Sequence, residues 1–337
     1  NRQKRDMRAF LGVWIALGCI VLFLTNSLWG YLSDSAILTS VYRKLFMSSQ
    51  TSSMSNDTNI TASYHGFTAD TFISQGYFLV YYFYIPANYN PARKYPLVVV
   101  LQGGGERGKT SNTFAQNEKL LLNNPYASVW GDDYNAPGNP HIQQNWPCFV
   151  VIPQIESSQQ WVNVNLHNGS YTQPAQPSVP LMQTRALLDF LQGKYTGIDP
   201  HRLYITGLSN GGLGTWDAIE RWPDYFAAAA PIAGAGDPSK AAILKDLPIW
   251  AFHGSADTTI PVSGSRDMIA AMQKAGGHPR YTEFAGQGHG VWSYVYSLNA
   301  SSLRVPDFFS WLFAQRNYTL FALKTERRQT WSEILAL

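Results

Sequence analysis

The chain has 337 residues, 45% hydrophobic and only 14% charged, against roughly 25% charged in ordinary soluble domains. A formal net charge of +3 with no long basic block argues against a nucleic-acid partner. Two cysteines, Cys19 and Cys148, exclude a disulfide framework, and no cysteine/histidine spacing suggests zinc.

Arg2, Lys4, Arg5 and Arg8 precede an apolar run from Ala9 to Leu24, which continues through Leu28, Trp29, Tyr31 and Leu32. About 20 such residues span a bilayer, with basic flanks in the cytoplasm and Trp and Tyr at the interface. The expectation is a cytoplasmic basic segment (1–8) and a single transmembrane signal anchor (9–32). A cleavable signal peptide is the alternative, with Ser33-Asp34-Ser35 as a small-x-small cleavage site. The first puts the remaining chain outside the cytoplasm as a periplasmic, extracellular or lumenal domain held at the membrane. The second makes it secreted. Residues 33–62 are rich in Ser, Thr and Asn and read as a linker.

From residue 63 the pattern changes. Tyr77 to Ile85 is a β-prone run closed by Pro86. Leu97 to Leu101 is a continuous apolar strand of the buried parallel type. It ends in the glycine-rich Gln102-Gly103-Gly104-Gly105-Glu106-Arg107-Gly108, a turn after a central strand of the kind that supplies an oxyanion-hole amide. Residues 113–123 read as helix, 124–147 as loop, Cys148 to Pro153 as strand, and Gln154 to Tyr171 as a loop containing Trp161. Residues 179–195 are helical, with Leu181, Leu187, Leu188 and Leu191 at suitable spacing. Further strands are expected at 202–206, 227–232, 248–252 and 281–284, and further helices after residue 212, at 265–274 and at 303–315. The tail, 317–337, mixes apolar residues with Arg327 and Arg328. Strands alternating with helices predict an α/β domain over 63–316, its mostly parallel sheet covered on both faces. No repeat and no second domain are visible.

The chemistry gathers at Gly207-Leu208-Ser209-Asn210-Gly211. This G-x-S-x-G lies between a strand and a helix, where a serine in a sharp turn presents its hydroxyl and the flanking glycines avoid Cβ clashes. In a parallel sheet, active groups collect at the strand C-terminal ends. Asp257 and His289 each follow a predicted strand, so they would share one edge with Ser209. Of the seven histidines, only His289 sits between glycines after the last strand. Those three residue types make a nucleophile, its base and an orienting acid. The amides of Asn210 and Gly104 would bind an oxyanion. Trp161 and Trp292, in loops on the same side, are candidates to line the substrate pocket. His253 lies nearer to Asp257 in sequence but before the turn, where a structural role is expected.

At these residues the chain resembles the α/β-hydrolases, in particular their feruloyl-esterase-like, polyhydroxybutyrate-depolymerase-like and "predicted peptidase" group. The matching stretches are LQGGGERG, DPHRLYITGLSNGGLGTWDAIERWPDYFAAAAPIAG, PIWAFHGSADTTIPV and AGGHPRYTEFAGQGHGVW. The resemblance implies an α/β-hydrolase fold with the order Ser209, Asp257, His289, and hydrolysis of carboxylic esters with neither metal nor organic cofactor. Where the group usually has His-Gly, this chain has Gln102-Gly103. Only short segments separate the strand before Ser209 from the later strands, so no large lid domain is expected, and an open cleft would suit a bulky or polymeric ester. A serine peptidase of the same fold and a non-catalytic binding protein on a hydrolase scaffold are the alternatives.

Overall fold

In the strand after Lys94, alternate residues go to opposite sides and both sides are covered. Leu97, Val99 and Leu101 join one apolar cluster and Val98 and Val100 the other. That is why the run reads as continuously hydrophobic rather than alternating. The computed structural model describes residues 64–317 apart from 132–134 and 136. The expected signal anchor (9–32), the linker (33–62) and the tail beyond Asn317 lie outside the described residues. Among the described residues no helix is long and apolar enough to cross a membrane.

Eight strands form one sheet: β1 (Phe67–Ser74), β2 (Tyr77–Tyr84), β3 (Tyr95–Leu101), β4 (Phe149–Gln154), β5 (Ile198–Leu208), β6 (Ala228–Ile232), β7 (Trp250–Gly254) and β8 (Arg280–Phe284). Their spatial order is β1-β2-β4-β3-β5-β6-β7-β8. The first two strands are antiparallel, and the other six run parallel. The principal helices are α1 (Phe114–Leu122), α2 (Val179–Lys194), α3 (Asn210–Arg221), α4 (Ser263–Lys274) and α5 (Phe308–Ala314).

The parallel strands and the helices between them fall where the hydrophobic pattern predicts. Three differences have physical causes. First, β1 has no counterpart in the expectation. It is an edge strand, only partly buried beyond Phe67, so its sequence carries little apolar signal. Second, β5 begins at Ile198 rather than Arg202. Tyr95 pairs with Ile198, and the register then shifts before Leu97 pairs with Leu203. Third, α5 starts at Phe308 rather than 303, because Pro306 disfavours helical backbone at the residue before it.

Candidate active site

Ser209 is the hinge between β5 and α3. Its backbone sits at φ 55°, ψ −120°, a region that costs a non-glycine residue about 1–3 kcal/mol and persists only where the surroundings enforce it. Here they do. The Ser209 amide donates to the Ile232 carbonyl at 2.9 Å. A Cβ on Gly207 would lie 2.4 Å from the Gly211 carbonyl oxygen, and one on Gly211 would lie 2.0 Å from that of Leu101. Both glycines of the motif are therefore there for close approach, as the sequence suggests, and the serine hydroxyl is left at the helix N-terminus.

The loops after β7 and β8 bring the other two residues to it. His289 Nε2 is 2.8 Å from Ser209 Oγ, and His289 Nδ1 is 2.6 Å from Asp257 Oδ2. Asp257 Oδ1 accepts the amides of Thr259 at 2.8 Å and Ile260 at 3.0 Å. Burial pushes the Asp257 carboxyl up, but hydrogen bonds from His253, His289 and the two amides outweigh it and hold the group well below the usual carboxylate range. An ionised carboxylate only accepts. Nδ1 of His289 must then carry the ring proton, which leaves Nε2 free to accept the serine proton. Hydrogen-bond reach between serine, imidazole and carboxylate is the arrangement that activates a hydroxyl nucleophile.

The glycine-rich turn after β3 packs against this elbow. A Cβ on Gly103 would meet the Leu208 side chain at 2.7 Å. Arg107 donates from Nε to the Gly104 carbonyl and from Nη1 to that of Gln159, both at 3.0 Å. Gln102 is fully buried, and its Nε2 reaches the Ile155 carbonyl at 3.4 Å. Asn210 opens α3, so its amide has no acceptor one turn back.

Trp161 corrects the sequence reading. It does not line a pocket: its side chain is 0% exposed. Its Nε1 donates to the Gln102 carbonyl at 3.0 Å, its amide donates to Asn210 Oδ1 at 3.1 Å, and its carbonyl accepts from Ser178 Oγ at 2.7 Å. An indole with its one donor committed and no free surface cannot touch a substrate. It joins the turn after β3 to the elbow instead. The signal for this was Gly214, whose missing Cβ would sit 2.6 Å from Trp161 Cβ. Trp292 is partly exposed. It starts a one-turn helix, Trp292–Val295, and its ring stands at 89° to that of His289 with centroids 5.2 Å apart.

Sequence reasoning gave His253 a structural role, yet its ring contacts the carboxylate itself. Its Nε2 lies 3.3 Å from Asp257 Oδ2. The four-residue spacing between the two was the available signal. Among the described residues no group of three or more His, Cys, Asp or Glu could hold a metal ion.

No family model matches the chain. It is similar to a solved thermostable esterase at 37% identity, with a TM-score of 0.60, covering 74% of this chain and 63% of that one. Among curated proteins it is similar to an uncharacterized secreted protein of Arthroderma benhamiae, at 33% identity over 31% of this chain and 15% of the relative. It is also similar to poly(3-hydroxyalkanoate) depolymerase C of Paucimonas lemoignei, at 34% identity over 41% of this chain and 28% of the relative. The matches therefore span less than a third of either curated relative. The fold is that of the α/β-hydrolases, and the structural neighbours include the thermostable esterase and a feruloyl esterase module.

Proposed function

We propose that the chain is a serine hydrolase of carboxylic esters that works through an acyl-enzyme on Ser209. The observation that carries this reading is the unbroken hydrogen-bonded series from Ser209 through His289 to Asp257. Both distances fall within the roughly 2.6–3.2 Å needed for proton transfer.

In this reading Ser209 Oγ attacks the ester carbonyl carbon while its proton moves to His289 Nε2. Asp257 stabilises the imidazolium that results. The amides of Asn210 and Gly104 donate to the carbonyl oxygen as negative charge develops on it, each contributing about 3 kcal/mol. His289 returns the proton to the leaving alcohol, and the carbonyl reforms as the acyl-enzyme. A water then loses a proton to the same nitrogen, attacks the acyl carbon and releases the acid with Ser209 restored. Trp292, whose ring stands beside that of His289, would meet the acyl or alcohol part. The esterase and depolymerase relatives support ester substrates, bulky or polymeric ones included. The secreted relative supports a location outside the cytoplasm, whether the chain is anchored at residues 9–32 or released.

Fluorophosphonate labelling together with substrate turnover tests the reading. The wild type is expected to be labelled, Ser209→Ala is not, and p-nitrophenyl acyl esters are turned over while peptide anilides are not. Turnover of both substrates would make it a peptidase. A folded wild type that takes no label would leave a binding protein on a hydrolase scaffold.

A further inference from the structure

His253 lies at the interior end of the same proton path. It sits in β7 and is fully buried. Its Nε2 faces two groups: the Ile260 carbonyl at 3.0 Å and Asp257 Oδ2 at 3.3 Å. A carbonyl and an ionised carboxylate can only accept, so Nε2 must carry a proton. Its Nδ1 is 2.7 Å from Ser265 Oγ. That hydroxyl can donate to Nδ1, or turn toward the Gly234 carbonyl at 3.2 Å. The oxygen that His253 approaches is the one that accepts from His289. Asp257 Oδ2 is thus shared by two imidazoles, one buried and one at the candidate nucleophile.

We propose that His253 is a positioning residue for the Ser209 site. It acts as a second donor to Asp257 Oδ2, fixing the carboxylate toward His289 and setting how strongly that carboxylate holds the His289 proton. The inference rests on the hydrolase reading above. The direction of the effect follows from charge. Each donor to Asp257 spreads its negative charge and makes it less basic. A less basic carboxylate binds the imidazolium less tightly, so the free base at His289 is available at lower pH. Ser265 strengthens the device when it donates to Nδ1, since donation into one ring nitrogen polarises the N–H on the other.

Among the remaining charged and titratable groups around His253, Glu283 also interacts with its ring electrostatically. On β8 its strand partner is Glu283, whose carboxylate is engaged by Arg266 at 2.6 and 2.9 Å and by the Tyr281 hydroxyl at 2.8 Å. On the other side β6 contributes only alanines, a proline and Ile232. From α4 come Ser265 and Arg266, the latter directed to Glu283.

The test is the rate of fluorophosphonate labelling at Ser209 as a function of pH, using the full chain. In His253→Phe, which keeps a ring but cannot donate, the acid limb of the profile is expected to move up by about one pH unit. His253→Gln can place an amide N–H near the Nε2 position and is expected to restore most of the wild-type limb. Ser265→Ala is expected to move the limb up by less, and it carries the test should His253→Phe not fold. A purely structural histidine would lower thermal stability and leave the limb unmoved. A folded His253→Phe with the wild-type limb, or an unmoved limb in Ser265→Ala where His253→Phe does not fold, overturns the proposal alone. A wild type that is not labelled at any pH overturns the hydrolase reading, and the proposal falls with it.

Discussion

Two of the buried carboxylates in this domain, Asp257 and Glu220, are solvated in opposite ways. Asp257 has a donor for each direction its oxygens face: two amides on Oδ1 and two imidazoles on Oδ2. At the far end of α3, Asp217, Glu220 and Asp237 are buried together. Arg221 is committed to Asp217 at 2.8 Å, and Lys240 acts on Asp237. Glu220 receives only the Asp237 amide at 2.9 Å and Gln173 Nε2 at 3.2 Å. Burial pushes its carboxyl well above the usual range, and the neighbouring Asp217 and Asp237 add to that. Burial likewise raises Asp217, against the pull of Arg221 and Gln173. Burial alone thus does not set the protonation tendency: Asp257 and Asp237 are held down while Glu220 and Asp217 are pushed up, and the number and type of donors weigh against burial in each case. One site keeps a charge ready for chemistry; the other ties the C-terminal half of the elbow helix to the loops around Gln173 and Asp237.

The comparison breaks most visibly in activity. Asp257→Asn keeps the shape but presents the wrong partner to His289 Nδ1, and a loss of about four orders of magnitude in kcat is expected from steady-state ester hydrolysis. Glu220→Gln imitates a protonated glutamate and is expected to stay within about threefold of wild type. Equal losses in the two would mean that the α3 cluster is coupled to the chemistry. In stability the ranking reverses. Arg221→Met removes the cation from a buried Asp217, and breaking a buried pair from one side costs about 3–5 kcal/mol. Denaturant unfolding should show that loss, while the activity of the folded fraction is retained.

Acid unfolding sharpens the contrast, because the two sites have opposite slopes. For Asp257 the folded value is depressed, so its stabilisation is full above the unfolded value of about 3.9 and is lost as pH falls through the folded one. For Glu220 the folded value is raised. The folded state binds more protons than the unfolded one between about 4.3 and that raised value, so stability declines as pH rises across this window. Stability measured against pH should therefore be highest in mildly acid solution. Glu220→Gln should flatten the decline above that maximum, and Asp257→Asn should flatten the fall below it. A wild-type profile rising steadily from acid to neutral pH would contradict the raised Glu220.

Much of this was legible in the chain and some was not, for reasons that differ by residue. Ser209 announced itself because a strained turn needs glycines at fixed offsets, and that need is local. Asp257 and His289 were legible through chain order and their place after strands. The parallel strands were legible because burial on both faces leaves no polar residues in them. The contact of His253 with Asp257 was not foreseen, because it crosses a turn, which four-residue spacing hints at but does not specify. The α3 cluster was not foreseen, since Gln173 and Asp237 join it from loops 44 and 20 residues away from Asp217 and α3 reads from sequence as an ordinary amphipathic helix. Trp161 was placed on the correct side of the sheet but at the wrong depth. Loop position indicates which edge a residue is near, while its exposure depends on what packs over it.

That last correction gives the smallest effect and a sharp test. Trp161→Phe keeps a six-membered aromatic ring and removes the N–H donated to the Gln102 carbonyl together with part of the indole's volume. Losing the donor to a buried carbonyl costs about 1–3 kcal/mol, so the thermal midpoint should fall by several degrees. The turn carrying Gly104 would be held less firmly against the elbow, and a drop of about fivefold in kcat is expected, roughly 1 kcal/mol of transition-state stabilisation. The decisive feature is its dependence on substrate. A tryptophan lining an acyl pocket, when altered, changes the preference among acyl chain lengths, because the contact it loses depends on the chain. A tryptophan bracing the oxyanion turn lowers kcat by the same factor for every acyl group, because the carbonyl oxygen is common to all. A series of p-nitrophenyl esters of increasing acyl length separates the two. A uniform factor supports the bracing role, and a factor that varies with length would return Trp161 to the pocket and Trp292 would lose its standing as the sole aromatic candidate there.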